Sequence, residues 1–234
     1  MPQVKNQVES LNEKASEFCV SHGQEIVRKI SFQSAQTTLW LPFLNNYCRT
    51  GVADELLDGL HSSLMEAAAC AAIGFIRPAL FSMRTEIDLA LGWLFFKDHR
   101  VEWATVNATG DGFRLKKEIF EYLDRNYIGF TSRFGILKQI ITRRETDTYR
   151  LLSAHIHAQS AITMPTSKSL RDVVKSPELG LQCGDMAHEV DEYINDLFIC
   201  AFANNWSVLP PQILASLNSR FKSQDQKAKF FELI

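Results

Sequence analysis

The 234-residue chain carries 25 basic and 27 acidic side chains, and a net charge near −2 gives it no global positive field with which to gather nucleic acid. Hydrophobic residues at 46% against charged residues at 22% exclude a disordered chain and suffice for a buried core. Five widely spaced cysteines, Cys19, Cys48, Cys70, Cys183 and Cys200, contain no C-x-x-C pair and read as buried thiols of a reducing cytoplasm.

Helical periodicity runs through almost the whole chain. No basic stretch leads into an apolar one after Met1, so no secretion signal is expected. Val4, Val8, Leu11, Ala15, Phe18 and Cys19 recur at steps of three and four and predict a first amphipathic helix that fades near His22-Gly23. Residues 26–32 predict a second short helix, although Ile30-Ser31-Phe32 also permits a strand. Trp40-Leu41-Pro42-Phe43-Leu44 is an aromatic patch punctuated by proline. Beyond Asp54, read as an N-cap, Leu56, Leu57, Leu60, Leu64, Ala67, Ala68 and Ala71 predict a central helix. Its uncharged run, 67–76, is about half a membrane span and is soon followed by Arg77, Arg84, Glu86 and Asp88, so no membrane is expected. Pro78 should kink or divide this helix, since proline lacks the amide donor and clashes one turn back.

Ile87, Leu91, Leu94 and Phe95 form a further stripe that ends at Lys97-Asp98-His99-Arg100. A loop is predicted at 107–112, then helices through Ile119, Phe120 and Leu123, and through Phe134, Leu137, Ile140 and Ile141. Another helix begins within Thr146-Asp147-Thr148, with Asp147 as its cap, and dissolves into a polar connector at 160–169. A last long helix stacks Met186, Val190, Tyr193, Ile194, Leu197, Phe198 and Ala201 on one face, and a short helical tail follows Pro210-Pro211. The reading is an all-α, antiparallel helical bundle with N-terminal helices over 1–50, a core over 51–205 and a tail over 206–234.

One nonapeptide carries chemistry: Tyr149-Arg150-Leu151-Leu152-Ser153-Ala154-His155-Ile156-His157. Arginine stays charged and forked, which suits it to phosphate oxygens, and histidine titrates near neutrality and can move a proton to or from an RNA hydroxyl. Arg150, an apolar Leu151, three further positions and His155 resemble the R-φ-x-x-x-H signature of the HEPN superfamily of helical proteins. That resemblance implies a HEPN-like bundle, a homodimer, and a metal-independent ribonuclease whose Arg and His from two protomers converge in a cleft, leaving 2′,3′-cyclic phosphate ends. It further implies Arg150 as the phosphate-binding residue, His155 as the catalytic histidine, RNA as the partner, and a toxin or antiviral-defence role with a neutralising or regulatory protein.

Helix geometry brings in His157. Five positions carry His155 roughly 140° around a helix from Arg150, whereas seven bring His157 within roughly 20° of it. The superfamily's looser spacing also admits Arg150 with His157, so both histidines are candidates. Tyr149, Ser153, Arg84 and Glu86 are expected to support them, Arg84 or Glu86 by orienting a histidine, and Arg143-Arg144 to lend phosphate affinity. His155-x-His157 lacks a carboxylate or cysteine at ligand spacing, so neither metal nor cofactor is expected. The competing reading packs Tyr149, Leu152 and Ile156 on the core and leaves a non-catalytic HEPN-like subunit. Such a subunit would bind a protein through Trp40, Phe43, Trp103 and Trp206, or a nucleotide.

Overall fold

A computed structural model describes residues 2–232. In chain order the helices are α1 (Pro2–Phe18), α2 (Gln24–Gln33), α3 (Ala35–Phe43), α4 (Glu55–Ala72), α5 (Ile76–Phe96) and α6 (Arg100–Thr109). They continue with α7 (Lys116–Asn126), α8 (Phe130–Lys138), α9 (Thr148–Ile156), α10 (Pro177–Phe202), α11 (Pro211–Arg220) and α12 (Gln224–Phe231). The fold is all-α: no strand occurs among the described residues, and the segment at 26–32 is helical. No described helix is long and apolar enough to cross a membrane.

Several local expectations need correction. Gly23 does not end a helix; it lies in a π-helical turn, Cys19–Gly23, between α1 and α2. A Cβ there would meet the Ala72 carbonyl oxygen at 3.0 Å, so glycine serves close approach rather than a break. Pro78 neither kinks nor divides a helix, because α4 has already ended at Ala72, just before Gly74. Gly74 sits at φ +79°, its amide donates to Ala71 O (3.0 Å), and the Phe75 amide reaches back to Cys70 O (2.8 Å). This is the Schellman arrangement. Pro78 then falls in the first turn of α5, where a missing N–H costs nothing. α6 runs through the start of the expected loop and closes at Gly110, φ +74°. α8 stops before Ile140, and the tail forms two helices where one was expected.

The chain divides into two compact units. Unit 1 gathers Met1–Ala35, Ser62–Glu86 and Asp147–Val190. Its core includes Ile26, Ile30, Ala71, Met83, Leu152 and Val190, each nearly inaccessible to solvent. A Cβ on Gly180 of α10 would lie 2.4 Å from Ile26 Cδ1, which shows how closely α2 and α10 approach within this unit. Val4 and Val8 of α1 stay exposed, as does Cys19, so the predicted stripe is covered only from Leu11 to Phe18, and of the five cysteines only Cys183 and Cys200 are the buried thiols expected.

Unit 2 gathers Gln36–His61, Ile87–Thr146 and Asp191–Ile234. Trp40, Trp93, Phe96 and Phe198 are fully buried there, and Trp40 donates Nε1–H to Asn195 Oδ1 at 2.8 Å. Trp40 is therefore a core residue and offers no docking surface. Trp103 is half-buried and donates to Glu55 Oε1 (3.0 Å), while Trp206 is exposed beside Phe231. The carboxylate of Asp191 accepts the amides of Gln36 (3.2 Å) and Thr37 (2.7 Å) and so caps the first turn of α3.

Candidate functional site in unit 1

α9 starts where Asp147 accepts the Arg150 amide on Oδ1 (3.2 Å), which fixes the helix origin two residues before the motif arginine. One side of α9 is anchored. Leu152 and Thr148 are buried, and Thr148 Oγ1 donates to Glu189 O at 3.3 Å. Arg84 of α5, itself buried, places its guanidinium carbon 3.3 Å from the centre of the Tyr149 ring and donates Nε–H to Ser153 Oγ at 3.1 Å. Ser153 in turn donates its hydroxyl to Tyr149 O (2.8 Å). A cation stacked on an aromatic face and tied to a hydroxyl fixes the rotation of α9. Arg84, Tyr149 and Ser153 thus come together as one cluster, while Glu86 is buried on the same stretch of α5.

With that rotation set, Arg150 and His157 are exposed and His155 is half-buried. His157 occupies the C-cap, and its amide still completes a helical bond to Ser153 O (3.0 Å), so it stays on the α9 track. Ala158 follows at φ +48°, an unusual conformation for a residue with a Cβ, and turns the chain away directly after the histidine. Arg150 and His157 therefore share a solvent-facing side, and His155 turns elsewhere.

His155 lines a cavity of about 640 Å³ whose walls come from α5, α9, α10 and the connector that follows α9. Arg77 stands beside it, over the Phe81 ring at 5.1 Å, and donates Nη2–H to the last carbonyl of α9, Ile156 O, at 3.1 Å. That contact satisfies an orphan carbonyl at the negative end of the helix. Burial, and secondly the Arg77 charge, push the His155 imidazole below its ordinary range. Both causes favour the neutral imidazole.

Arg143 is engaged otherwise. It belongs to unit 2, where its side chain is completely buried and donates to Asp196 Oδ2 (2.6 Å) and Glu192 Oε1 (3.3 Å). Arg220 closes the cluster on the same two carboxylates at 2.7 and 3.2 Å. A guanidinium enclosed by two acids has no face to offer a phosphate, so the expectation that Arg143 binds RNA is corrected; its neighbour Arg144 is exposed.

The sequence reading passed over Lys175, which stands with Arg77 at the cavity. It also passed over the buried acids of α10: Glu189, Asp191, Glu192 and Asp196. Their signal was present. Apolar residues on every side of the last long helix mean that the intervening acids must be buried as well, hence paired or capping. Among the described residues no group of three His, Cys, Asp or Glu side chains is arranged to hold a metal ion. Comparison with family models, with curated proteins and with solved structures found no match for this chain.

Proposed function

We propose that this chain is a HEPN-like helical protein that cleaves RNA without a metal, with Arg150 and His157 presented to the phosphodiester. The supporting observation is their common exposure on a helix whose opposite side is buried through Thr148 and Leu152 and whose flank is held by Arg84 on Tyr149 and Ser153. The 2′-oxygen of RNA attacks the adjacent phosphorus, the P–O5′ bond breaks, and a 2′,3′-cyclic phosphate and a 5′-hydroxyl result. His157 moves the proton, either from the 2′-hydroxyl or to the departing O5′, and Arg150 neutralises the charge growing on the phosphorus oxygens. One such pair is sparse for both proton transfers. A homodimer that brings two copies to one cleft supplies the second, in keeping with the antiparallel bundle this reading entails. A toxin or defence role, restrained by a protein partner, belongs to the same proposal.

Total RNA incubated with the purified protein in excess chelator tests it. Wild type yields fragments with cyclic phosphate ends, and Arg150→Ala and His157→Ala each lower the rate by about 10²-fold or more. His155→Ala loses less. RNA left intact by wild type would favour the non-catalytic subunit, and loss confined to His155→Ala would reassign the histidine.

A further inference from the structure

The cavity beside His155 has a composition that selects a ligand class. At about 640 Å³ it lies in the range of small-molecule sites. Its walls are mainly aliphatic, with Ile76, Leu80, Val173, Leu179 and Met186 among them beside the neutral polar Thr163, Thr166, Ser167 and Gln182, and no Phe, Tyr or Trp lines it among the described residues. The His155 imidazole is thus the one aromatic ring among the described lining residues, and a nucleobase is offered no pair of ring faces to lie between. An alkyl chain finds matching surface.

The polar part is one-sided. Arg77 and Lys175 reach the cavity, and no carboxylate lines it among the described residues. Arg77 has one protein acceptor, Ile156 O, and its Nε is buried without a hydrogen-bond partner among the described residues. Lys175 donates to Ser167 Oγ (3.1 Å) and Asp172 O (2.7 Å), which leaves the third proton of its ammonium for another acceptor. Neither cation is within ion-pair distance of a described carboxylate. Two cations without a described carboxylate partner on one cavity favour a ligand that carries negative charge.

We infer that this cavity binds an aliphatic carboxylic acid, its chain against Leu80, Leu179 and Met186 and its carboxylate against Arg77 and Lys175. Ile162 and Met164, apolar and exposed on the connector that forms one wall, gain cover when the chain is seated. The ligand would touch α9 at His155 and not at Arg150. The inference therefore stands independently of the proposed RNA chemistry.

Decanoate below its micellar concentration is the probe, with decan-1-ol, decyltrimethylammonium and adenosine monophosphate as comparators, read by calorimetry and by the His155 ring resonances. Saturable decanoate binding that moves the His155 signals is expected, about tenfold or more tighter than the alcohol and absent for the ammonium. Met186→Trp fills the cavity without touching a cation, and it should abolish binding while the helical circular dichroism is retained. Arg77→Met should reduce decanoate binding to the level of the alcohol. The inference is overturned by no saturable binding to wild type, by equal binding of alcohol and acid, by undiminished binding in folded Met186→Trp, or by preference for adenosine monophosphate.

Discussion

His155 and His157 are two residues apart yet have different surroundings. Position on the helix decides this: Arg84 on Tyr149 and Ser153 sets the rotation, which sends His155 to the Arg77 cavity and leaves His157 in solvent. A titration of the ring protons should find His155 below its ordinary value. Arg77→Met should raise it only partway, because burial is the larger cause and survives the substitution. The folded state resists protonating this ring, so its contribution to stability is present above the unfolded value near 6.5 and is lost as pH falls below it. An ordinary or raised value for His155 would place the ring in solvent and remove it from the cavity wall. The motif itself was legible because Arg and His spacing is written locally. That His157 lies nearer than His155 to the Arg150 side also follows from helix geometry; the Arg77 cavity that His155 lines was not legible, since Arg77 stands on α5, dozens of positions upstream.

Among the elements, α9 was readable to its first residue because a cap is a short-range device: Asp147 and the amide of Arg150 are three positions apart. The junction of α4 and α5 was misread for the opposite reason. Proline draws attention as a breaker, but Gly74 ends the helix, and the tight packing that demands glycine there is long-range. A Cβ on Gly74 would come within 2.8 Å of Val174 Cγ1, and φ is +79° besides. Gly74→Ala should therefore cost about 1–3 kcal/mol in urea unfolding, from left-handed strain and overpacking together. Pro78→Ala should cost less than about 1 kcal/mol, mainly by loosening the unfolded chain. The reverse order of the two losses would restore Pro78 as the breaking residue. Arg143 shows the same limit of local reading. Its doublet with Arg144 suggests a basic rim, yet its partners Glu192 and Asp196 lie about fifty positions on, and Arg220, which shares them, lies further still.

At the scale of the whole molecule, the formal charge of −2 conceals ionisable groups that never meet solvent, and these set how stability follows pH. Two neighbours on α10 act in opposite directions. Burial opposes ionisation of Glu192, but Arg220, Thr142 and Arg143 together outweigh it and hold the carboxyl below its usual range. Its contribution is therefore present near neutrality and lost in acid. No ion pair joins Asp191 to a cation among the described residues; burial dominates, its bonds from the Thr37 and Gln36 amides only partly compensate, and the carboxyl is pushed up to about 6. The folded protein binds this proton near pH 6, whereas the unfolded chain does so near 3.8. The stabilising contribution of Asp191 is thus complete below 3.8 and lost as pH rises through 6. Asp191→Asn keeps an oxygen to accept the α3 amides and removes the titration. Between pH 7 and pH 5 wild type should gain about 1.4 kcal/mol of stability relative to this variant, one unit of pH below the folded-state value. Urea unfolding followed by the fluorescence of buried Trp40 and Trp93 measures the difference directly. A difference that stays constant over this interval would mean that Asp191 remains ionised down to pH 5 and caps α3 as a full charge, so that the dependence of the fold on acid rests on Glu192 and its arginines.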